Sequence, residues 1–504
     1  MRSAWDPPAP EAPPRLARIR GGETSFTPRA RLRPPKRAAA MRDEDNLEPA
    51  VGFRLGRLNI DADGLFAFAI FVPMLFIAQL ATVGAAAVAA LVPIYLWVRR
   101  ERLLRVMAPR AFLFVIPAFA LFSVVWSQAP GHSFRAALEL FITVAGGLLL
   151  SSARSQVAVL RGLAAAFFVY ILISLAFGGR VAIGVGAGGD AFAGLTSSKN
   201  LLADIASTGI IVSAIVAMMA LRRRNWVWVA LGAVAMGLQL YAVVSARSAG
   251  ALLGLGMGLG AMLALTPMVY VGGAVRGWVT SAVALCLLAG ALSYRWLAAT
   301  MIDLGATLFD KDPTLTGRTY LWYRAADLIR EKPVLGRGYY AFWVQGNMDA
   351  EGLWRYFGIE GRSGFTFHNT IVDIMVTLGW VGAAVIGLTA LFGVIALIRR
   401  FVLRPNLAQV FWISILLYQL SRTPIETIGI APFYFSTALG FAALGAAFGR
   451  VRLPQETNPA RAAHRPVREL QVWTVANPPR GRLGPRPGAT RGSLDLSGTL
   501  DRRT

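Results

Sequence analysis

The strongest constraint on the fold is a succession of long apolar runs along the chain. They lie at roughly 64–80, 83–98, 111–127, 133–150, 160–177, 200–221, 226–244, 249–270, 278–294, 370–398, 407–421 and 430–448. A helix needs about 17 to 25 apolar residues to cross a bilayer, and each run reaches this length alone or with a few flanking residues. The sequence therefore predicts an all-α polytopic membrane protein with about 12 transmembrane helices.

Composition agrees with this class and limits the alternatives. The 504 residues are 55% hydrophobic and only 15% charged, a balance that water-soluble domains do not reach. The net charge of +24 would suit nucleic acid, but the basic residues lie in short runs between apolar stretches and in two Pro-rich tails. We therefore interpret them as a topology signal and predict no nucleic-acid partner. Cys286 is the single cysteine, so neither a disulfide framework nor a cysteine-based metal site is expected.

The two ends of the chain differ from its apolar middle. Both are rich in Pro and Arg and have no apolar periodicity, which predicts disordered basic tails. The predicted parts are a tail at 1–60, helices 1–9 in 61–294, a large loop at 295–367, helices 10–12 in 368–449, and a tail at 450–504. The first apolar run begins near Gly64, which is not the position of a signal peptide, and Met41 is an alternative to Met1 as the start.

Orientation follows from the basic residues, because Lys and Arg concentrate in cytoplasmic loops. When the N terminus is placed in the cytoplasm, every predicted inner loop is basic. The arginines of these loops are Arg99, Arg100, Arg102, Arg105, Arg110, Arg154, Arg161, Arg222, Arg223, Arg224, Arg276, Arg399, Arg400 and Arg404. Both tails are therefore expected in the cytoplasm, at a bacterial inner membrane, and the large loop on the periplasmic side. The glycine-rich segment at 178–198 also falls outside, so we interpret it as a flexible outer loop rather than a dinucleotide-binding turn.

The large loop is much longer than most connections between helices, which indicates a functional element. In TGRTYLWYRAADLIREKP its apolar residues recur at helical spacing, at Leu321, Ala325, Leu328 and Ile329. Pro333 follows the expected end of this helix. We predict an amphipathic helix that lies on the membrane surface or against the bundle.

Four polar features fall on the outer side in this topology. They are Arg247 in SARSAG, Arg318 at the first turn of the loop helix, His368 in FHNT, and the pair Lys199 and Asn200 in TSSKN. Taken singly, each has an ordinary explanation. Arg247 and Lys199 can anchor at the headgroup level. Arg318 can form a surface ion pair with a loop acid, and His368 can be a structural histidine.

Together these features form a site with a chemical logic. Two guanidinium groups suit a pyrophosphate, because arginine offers planar bidentate donors and keeps its charge. A histidine near a helix N terminus is disfavoured as a cation, so His368 would be available as a base. The sequence contains neither a metal-ligand cluster nor a nucleotide-binding GxxxxGK[ST] loop, and we expect no metal and no cofactor.

The loop is also rich in aromatic residues. These are Tyr320, Trp322, Tyr339, Tyr340, Trp343 and Trp354. Their rings could pack against sugar faces, or they could anchor the loop at the membrane interface, where Trp and Tyr are enriched. The sequence favours neither explanation.

The loop and the helix after it carry a family resemblance. The stretch TLTGRTYLWYRAADLIREKPVLGRGYYAFW, followed by FHNTIVDIMVTLGWVG, resembles the O-antigen ligase and polymerase family. Within that family it is most similar to exopolysaccharide polymerases of the succinoglycan type. The specific part covers residues 314–382, with weaker agreement at SSKN (197–200) and SARS (245–248). The resemblance implies a GT-C-like membrane glycosyltransferase that uses a glycan on undecaprenyl pyrophosphate and needs neither metal nor nucleotide sugar.

Carried over by motif, the resemblance implies roles for individual residues. Arg247 and Arg318 would bind the donor pyrophosphate, and His368 would deprotonate the acceptor hydroxyl in an inverting transfer. Further substrate-binding candidates are Lys199, Asn369, Arg337 and Trp322. Two departures from the family pattern leave the acceptor open: Phe367 precedes the histidine, and Arg337 sits inside the usual Gly-Tyr-Gly turn.

Three functions are compatible with these observations. The first is a polymerase that joins lipid-linked repeat units into exopolysaccharide or O-antigen, and the second is a ligase that moves finished glycan to lipid A core or another acceptor. The partners would be the lipid-linked glycan, a glycan or lipid acceptor, the bilayer, a chain-length regulator and a flippase. The third is a transporter, but acidic residues within the spans are few. The main ones are Glu139, Asp204 and Asp373.

Overall fold

The computed structural model describes residues 52–55, 58–98, 100, 107–184, 187–292 and 318–448. The predicted tails before residue 52 and after residue 448 lie outside the described residues, as does the first part of the large loop at 293–317. In chain order the elements are β1 (Gly52–Leu55), β2 (Leu58–Asp61), α1 (Ala62–Leu75), α2 (Ile77–Val98), α3 (Val115–Phe122), α4 (Pro130–Ser151), α5 (Gln156–Phe177), β3 (Gly179–Gly184), β4 (Ala187–Gly194), α6 (Lys199–Arg222), α7 (Trp226–Ser245), α8 (Ala249–Met268), α9 (Gly273–Leu292), α10 (Arg318–Glu331), α11 (Met348–Tyr356), α12 (Thr370–Leu403), α13 (Leu407–Arg422) and α14 (Phe435–Ala446). Two 3-10 turns, Ala108–Phe114 and Ser123–Trp126, extend α3 at its two ends.

A helical segment lies at each of the predicted apolar runs. Within the described ranges, eight segments are long and apolar enough to cross a membrane: α2, α3 with its 3-10 turns, α4, α5, α6, α7, α8 and α12. Helices α1 and α14 are also apolar but have only 14 and 12 residues. The chain is therefore a multi-pass membrane protein, while a count of twelve spans stays a prediction.

Helix α6 lies at the centre of the bundle. Its span is 78% buried, compared with 17% for α2 and 17% for α12. The outer helices instead expose large apolar side chains such as Trp97, Leu263 and Leu388. Such exposure suits a bilayer, because lipid tails are as apolar as leucine. The burial of α6 fixes the position of its first turn, which carries Lys199 and Asn200.

Two short antiparallel hairpins depart from the sequence prediction. Strand β1 pairs with β2, with Phe53 opposite Ile60, so residues 52–55 and 58–60, which the sequence assigned to the tail at 1–60, are paired strands. Strand β3 pairs with β4, with Val181 opposite Ala191, inside the segment predicted as a flexible outer loop. Strands β3 and β4 are rich in glycine and contain few of the β-branched and aromatic residues by which strands are recognised.

The predicted loop helix is confirmed as α10. It buries Leu321, Ala325 and Leu328, three of the four predicted apolar positions. The helix packs against α12, which is the second of its two predicted placements. With α11 it encloses a second hydrophobic core that includes Phe342 and Trp354. The described part of the large loop is therefore a folded element attached to the bundle.

Helix α12 is broken close to its N-terminal end. Gly379 has φ 64°, in the left-handed region, and interrupts the helical hydrogen bonds. The N–H of Trp380 donates to the carbonyl of Pro333 at 2.9 Å, and the N–H of Val381 donates to the carbonyl of Val334 at 3.1 Å. The predicted span therefore consists of two helical pieces. A segment of the large loop forms backbone hydrogen bonds with α12 at the break.

The same loop segment also bonds to α12 on the other side of the break. The N–H of Arg337 donates to the carbonyl of Val376 at 3.1 Å, and the N–H of Gly338 donates to the carbonyl of Thr377 at 2.8 Å. Backbone groups inside a membrane bundle need such partners, because no water is available to satisfy them. Residues 333–338 therefore anchor the large loop in the bundle.

Candidate active site

Glu426 lies in the connection between α13 and α14, and the predicted site residues converge on it. Its Oε1 accepts hydrogen bonds from Nη2 of Arg318 at 3.0 Å and from Nδ2 of Asn200 at 3.1 Å. Its Oε2 lies 3.1 Å from Nδ1 of His368. One carboxylate therefore joins three residues that are far apart in the sequence, each from a motif predicted to face outside.

Ser248 connects the remaining motif to this cluster. Its Oγ donates to Oδ1 of Asn200 at 2.9 Å. Ser248 is the N-cap residue of α8 and directly follows Arg247 in SARSAG. The SSKN and SARS motifs, which the sequence placed on one side of the membrane, are thus in direct contact.

Several helix N termini meet at the cluster. The described starts are α6 at Lys199, α8 after Ser248, α10 at Arg318 and α12 after Asn369. The first turn of a helix has N–H groups without helical partners and carries the positive end of the helix dipole. Neither Ser198 nor Ser248 caps its helix through its side chain. The region is therefore suited to an anion.

Arg318 is held by two groups on the same connection. It pairs with Glu426 at 3.0 Å, and its Nη1 donates to the carbonyl of Ile425 at 2.7 Å. Its side chain is 16% exposed. Arginine has five N–H donors, so further donors remain for an anionic ligand.

The backbone at His368 is held in an uncommon conformation by its neighbours. Its φ is 51°, a value that residues other than glycine rarely adopt. Nε1 of Trp322 donates to the carbonyl of Phe367 at 2.8 Å, and the N–H of Phe367 donates to the carboxylate of Asp373 at 3.2 Å. Asn369 caps the first turn of α12 with its side-chain oxygen. The predicted residues Trp322 and Asn369 thus fix the backbone on both sides of the histidine.

The groups around Glu426 keep its carboxylate ionised. Burial raises its pKa, but the hydrogen bond with His368, the charge of His368 in its protonated form and the charges of Arg318 and Arg422 outweigh burial and lower the pKa to about 2. The carboxylate is therefore a fixed negative charge between the histidine and the arginine.

A buried ion pair supports the connection that contains Glu426. Arg422 at the end of α13 pairs with Asp204 of α6, and their side chains are only 2% and 3% exposed. Tyr418 donates its O–H to the same carboxylate of Asp204 at 2.6 Å. The carbonyl of Arg422 accepts the N–H of Glu426 at 2.9 Å. This network fixes the turn before Glu426 to the central helix.

The other predicted site residues, Arg247, Lys199 and Arg337, differ in where they lie relative to the cluster. Arg247 is exposed, with φ 48°, and its side chain has no ion pair within the described part of the chain. Lys199 directly precedes Asn200 in the first turn of α6. Arg337 instead is buried and pairs with Glu331 beside the break in α12. Its position is structural, and a role in substrate binding stays a prediction.

The three acidic residues that would suit a transport path all have partners. Glu139 pairs with Arg135 at 2.8 Å. Asp204 pairs with Arg422, and Asp373 accepts the N–H of Phe367. They are thus engaged in contacts within the protein.

Sequence reasoning did not identify Glu426 or Arg422 as site residues. Both lie in SRTPIETIG, between the last two predicted spans. One feature of the sequence could have identified Glu426. It is an acid in a short outer connection, and most of the predicted outer loops carry little charge. Its partners could not be inferred, since they come from three other helices.

Comparison with known proteins shows what the chain is similar to. Residues 192–387 match the O-antigen ligase family. Over 399 residues the chain is 29% identical to the exopolysaccharide production protein ExoQ of Rhizobium meliloti strain 1021, which covers 75% of this chain and 85% of that protein. The resemblance predicted from the sequence is thereby confirmed, and the matches indicate a glycosyltransferase-like membrane enzyme. The family match includes Arg247, Arg318 and His368, whereas Glu426 lies beyond it.

Proposed function

We propose that this chain, which matches the O-antigen ligase family over residues 192–387, is an inner-membrane glycosyltransferase that polymerises lipid-linked oligosaccharide repeat units. The donor is a glycan on undecaprenyl pyrophosphate, and transfer takes place at the periplasmic face that the positive-inside pattern predicts. The observation that carries the proposal is the carboxylate of Glu426, which holds Arg318 and His368 together. A polymerase is favoured because the relative ExoQ is named for exopolysaccharide production.

The donor pyrophosphate fits the positive side of the cluster. Arg318 offers N–H donors beside Glu426, and Arg247 is exposed next to Ser248. The first turns of α6 and α8 add N–H groups and dipole charge. Pyrophosphate is already a good leaving group, so orientation and charge neutralisation supply most of the catalysis and no metal is required.

His368 is the base in this proposal. When its Nδ1–H donates to Glu426, the lone pair of Nε2 is left to accept the proton of the acceptor hydroxyl. The hydroxyl oxygen bonds to the anomeric carbon of the donor from the face opposite the pyrophosphate. The bond between that carbon and the pyrophosphate oxygen breaks, the anomeric centre inverts, and undecaprenyl pyrophosphate leaves with the electron pair. Glu426 stabilises the imidazolium that forms.

A ligase is the second candidate, because the matching family is described as O-antigen ligase. The chemistry at the donor is the same in both cases. The acceptor differs: it is a second lipid-linked glycan for the polymerase and lipid A core or another molecule for the ligase. Product analysis therefore separates the two functions.

Reconstitution tests the proposal directly. Purified protein in proteoliposomes is supplied with lipid-linked repeat units from the producing bacterium, and products are separated by size. We expect a ladder of longer lipid-linked glycans that disappears in His368→Ala. His132→Ala is the matched control, because His132 is an exposed histidine in the first turn of α4, outside the cluster.

Other products would contradict a polymerase. Transfer of preformed glycan to added lipid A core without lengthening would identify a ligase. Movement of glycan across the bilayer without any new glycosidic bond would identify a transporter. If His368→Ala formed the ladder as fast as the wild type, His368 would not be the base, although the protein would still be a polymerase.

A further inference from the structure

Four aromatic rings form a continuous strip that ends on His368. Neighbouring ring centroids are 4.4 Å apart for Tyr320 and Tyr356, 5.0 Å for Tyr356 and Phe357, 5.4 Å for Phe357 and Phe365, and 5.6 Å for Phe365 and His368. We call Tyr320, Tyr356, Phe357 and Phe365 the aromatic strip. Tyr356 is 62% exposed and Tyr320 is 38% exposed, so the far end of the strip is accessible.

The aromatic strip rests on the hydrophobic core of the loop. The ring of Trp343 lies 5.1 Å from Phe365 and 5.9 Å from Trp354. Trp354 and Phe342 of this core are almost completely buried. Rings supported in this way lose little freedom when a ligand binds, which favours affinity. The strip is therefore a preformed surface.

Several charged residues of α10, α11 and the segment after α11 form ion pairs. Arg324 of α10 lies 3.3 Å from Asp327 and 3.9 Å from Asp349 of α11. Arg362 lies 3.4 Å from Glu351. The pair between Arg324 and Asp349 joins the two helices that carry Tyr320 and Tyr356. The charges on this surface are of both signs, with Arg355 and Glu360 also exposed. A neutral, hydroxyl-rich ligand therefore suits this surface better than a phosphate.

We propose that the aromatic strip binds the sugar rings of the acceptor glycan and guides its reacting hydroxyl to His368. The C–H faces of a sugar ring are apolar and pack on the electron-rich faces of aromatic rings. Its hydroxyl groups point outward, where the ion-paired residues can form hydrogen bonds with them. Because the strip ends on His368, a glycan that lies along it presents its terminal sugar to the base. This inference rests on the proposed function, since an acceptor exists only if the protein transfers glycan.

Anchoring at the membrane interface is the alternative explanation for exposed tyrosines. The segment that follows Phe357 does not resemble an anchor. Its exposed residues include Gly358, Glu360, Arg362 and Gly364, and none of these has an apolar side chain that lipid would favour. The segment next to the strip is therefore hydrophilic.

Binding of a soluble oligosaccharide tests the aromatic strip without catalysis. The probe is the repeat-unit oligosaccharide released by mild acid from the lipid-linked glycans of the producing cells, titrated against the full chain in nanodiscs and followed by saturation-transfer NMR. We expect Tyr356→Ala and Tyr320→Ala each to raise the Kd about three- to tenfold. Tyr356→Phe keeps the ring and should leave the Kd close to that of the wild type.

Tyr323→Ala is the matched control. Tyr323 also lies on α10 and is 65% exposed, but within the described residues it makes no ring contact with the strip. Its loss should not change the Kd. In the chain-lengthening assay, Tyr356→Ala should raise the KM for the acceptor by the same factor as the Kd and leave kcat nearly unchanged.

The outcomes separate this inference from the proposed function. If the Kd were unchanged in both alanine variants while the wild type still lengthened chains, the aromatic strip would not be the acceptor site. The proposal of a polymerase would stand. Tyrosine-dependent binding of the probe without any chain lengthening would overturn the polymerase and retain a saccharide site. A change only in thermal stability in nanodiscs, with the Kd unchanged, would identify the tyrosines as membrane anchors and overturn the inference.

Discussion

Nδ1 of His368 lies 3.1 Å from Oε2 of Glu426, and this contact joins the start of α12 to the connection before α14. The other oxygen of the same carboxylate accepts from Arg318 at 3.0 Å. The proposed base and the proposed pyrophosphate ligand are thus coupled through one acid. A change at Glu426 should therefore affect both acceptor activation and donor binding.

Glu426→Gln removes the negative charge and preserves the size of the side chain. We expect turnover in the chain-lengthening assay to fall about 100-fold or more, because an amide does not stabilise an imidazolium and can hold the histidine in the wrong tautomer. Glu360→Gln is the matched control, since Glu360 is an exposed acid of the large loop that lies outside the cluster. Equal turnover in the two variants would exclude Glu426 from the reaction.

The pKa of Glu426 also predicts how stability depends on pH. Its value is about 2 in the folded protein, below the ordinary 4.5, so the carboxylate stabilises the fold above pH 4.5 and this contribution is lost as the pH falls towards 2. The contribution is at most about 3 kcal/mol. In detergent, the Tm of the wild type should exceed that of Glu426→Gln at pH 6, and the gap should narrow towards pH 3. A gap that does not change with pH would show that the carboxylate has an ordinary pKa.

Arg318→Lys keeps the positive charge but removes the planar fork. A lysine cannot bind Glu426, the carbonyl of Ile425 and a pyrophosphate in the same way, so we expect kcat/KM for the donor to fall about 10- to 100-fold. Arg330→Lys on the same helix is the control. Arg330 is 73% exposed and forms a surface ion pair with Asp327, so its replacement should change kcat/KM less than about twofold. Similar losses in both variants would indicate a general disturbance of α10.

Periodicity and charge predicted much of the scaffold because the bilayer imposes simple rules. Spans must be long and apolar, and Lys and Arg are in excess in cytoplasmic loops, so the positions of the helices and a common side for Arg318 and His368 could be predicted. The spacing of Leu321, Ala325 and Leu328 likewise predicted α10, because a helix buries one face.

The centre of the site could not be predicted in the same way. The partners of Glu426 are brought together by the packing of four helices, and topology assigns a side of the membrane without assigning distances. The burial of Arg337 could not be predicted either. It depends on the position of this residue beside the break in α12, which the hydropathy pattern does not show. The hairpin of β3 and β4 could not be predicted either. Its strands are rich in glycine, so their side chains do not indicate which residues pair.

The break at Gly379 provides the last prediction, because it connects the large loop to the bundle. A Cβ atom at Gly379 would lie 2.3 Å from the carbonyl oxygen of Val334, and the φ of 64° disfavours any other residue. Gly379→Ala should therefore lower the stability of the purified protein by about 2 kcal/mol or more, seen as a lower Tm, and should displace the loop that carries the site. Gly387→Ala in the same helix is the control, since a Cβ there meets no atom within 4 Å and alanine is the better helix former. If both variants had the same Tm, residues 333–338 would not anchor the loop through this break.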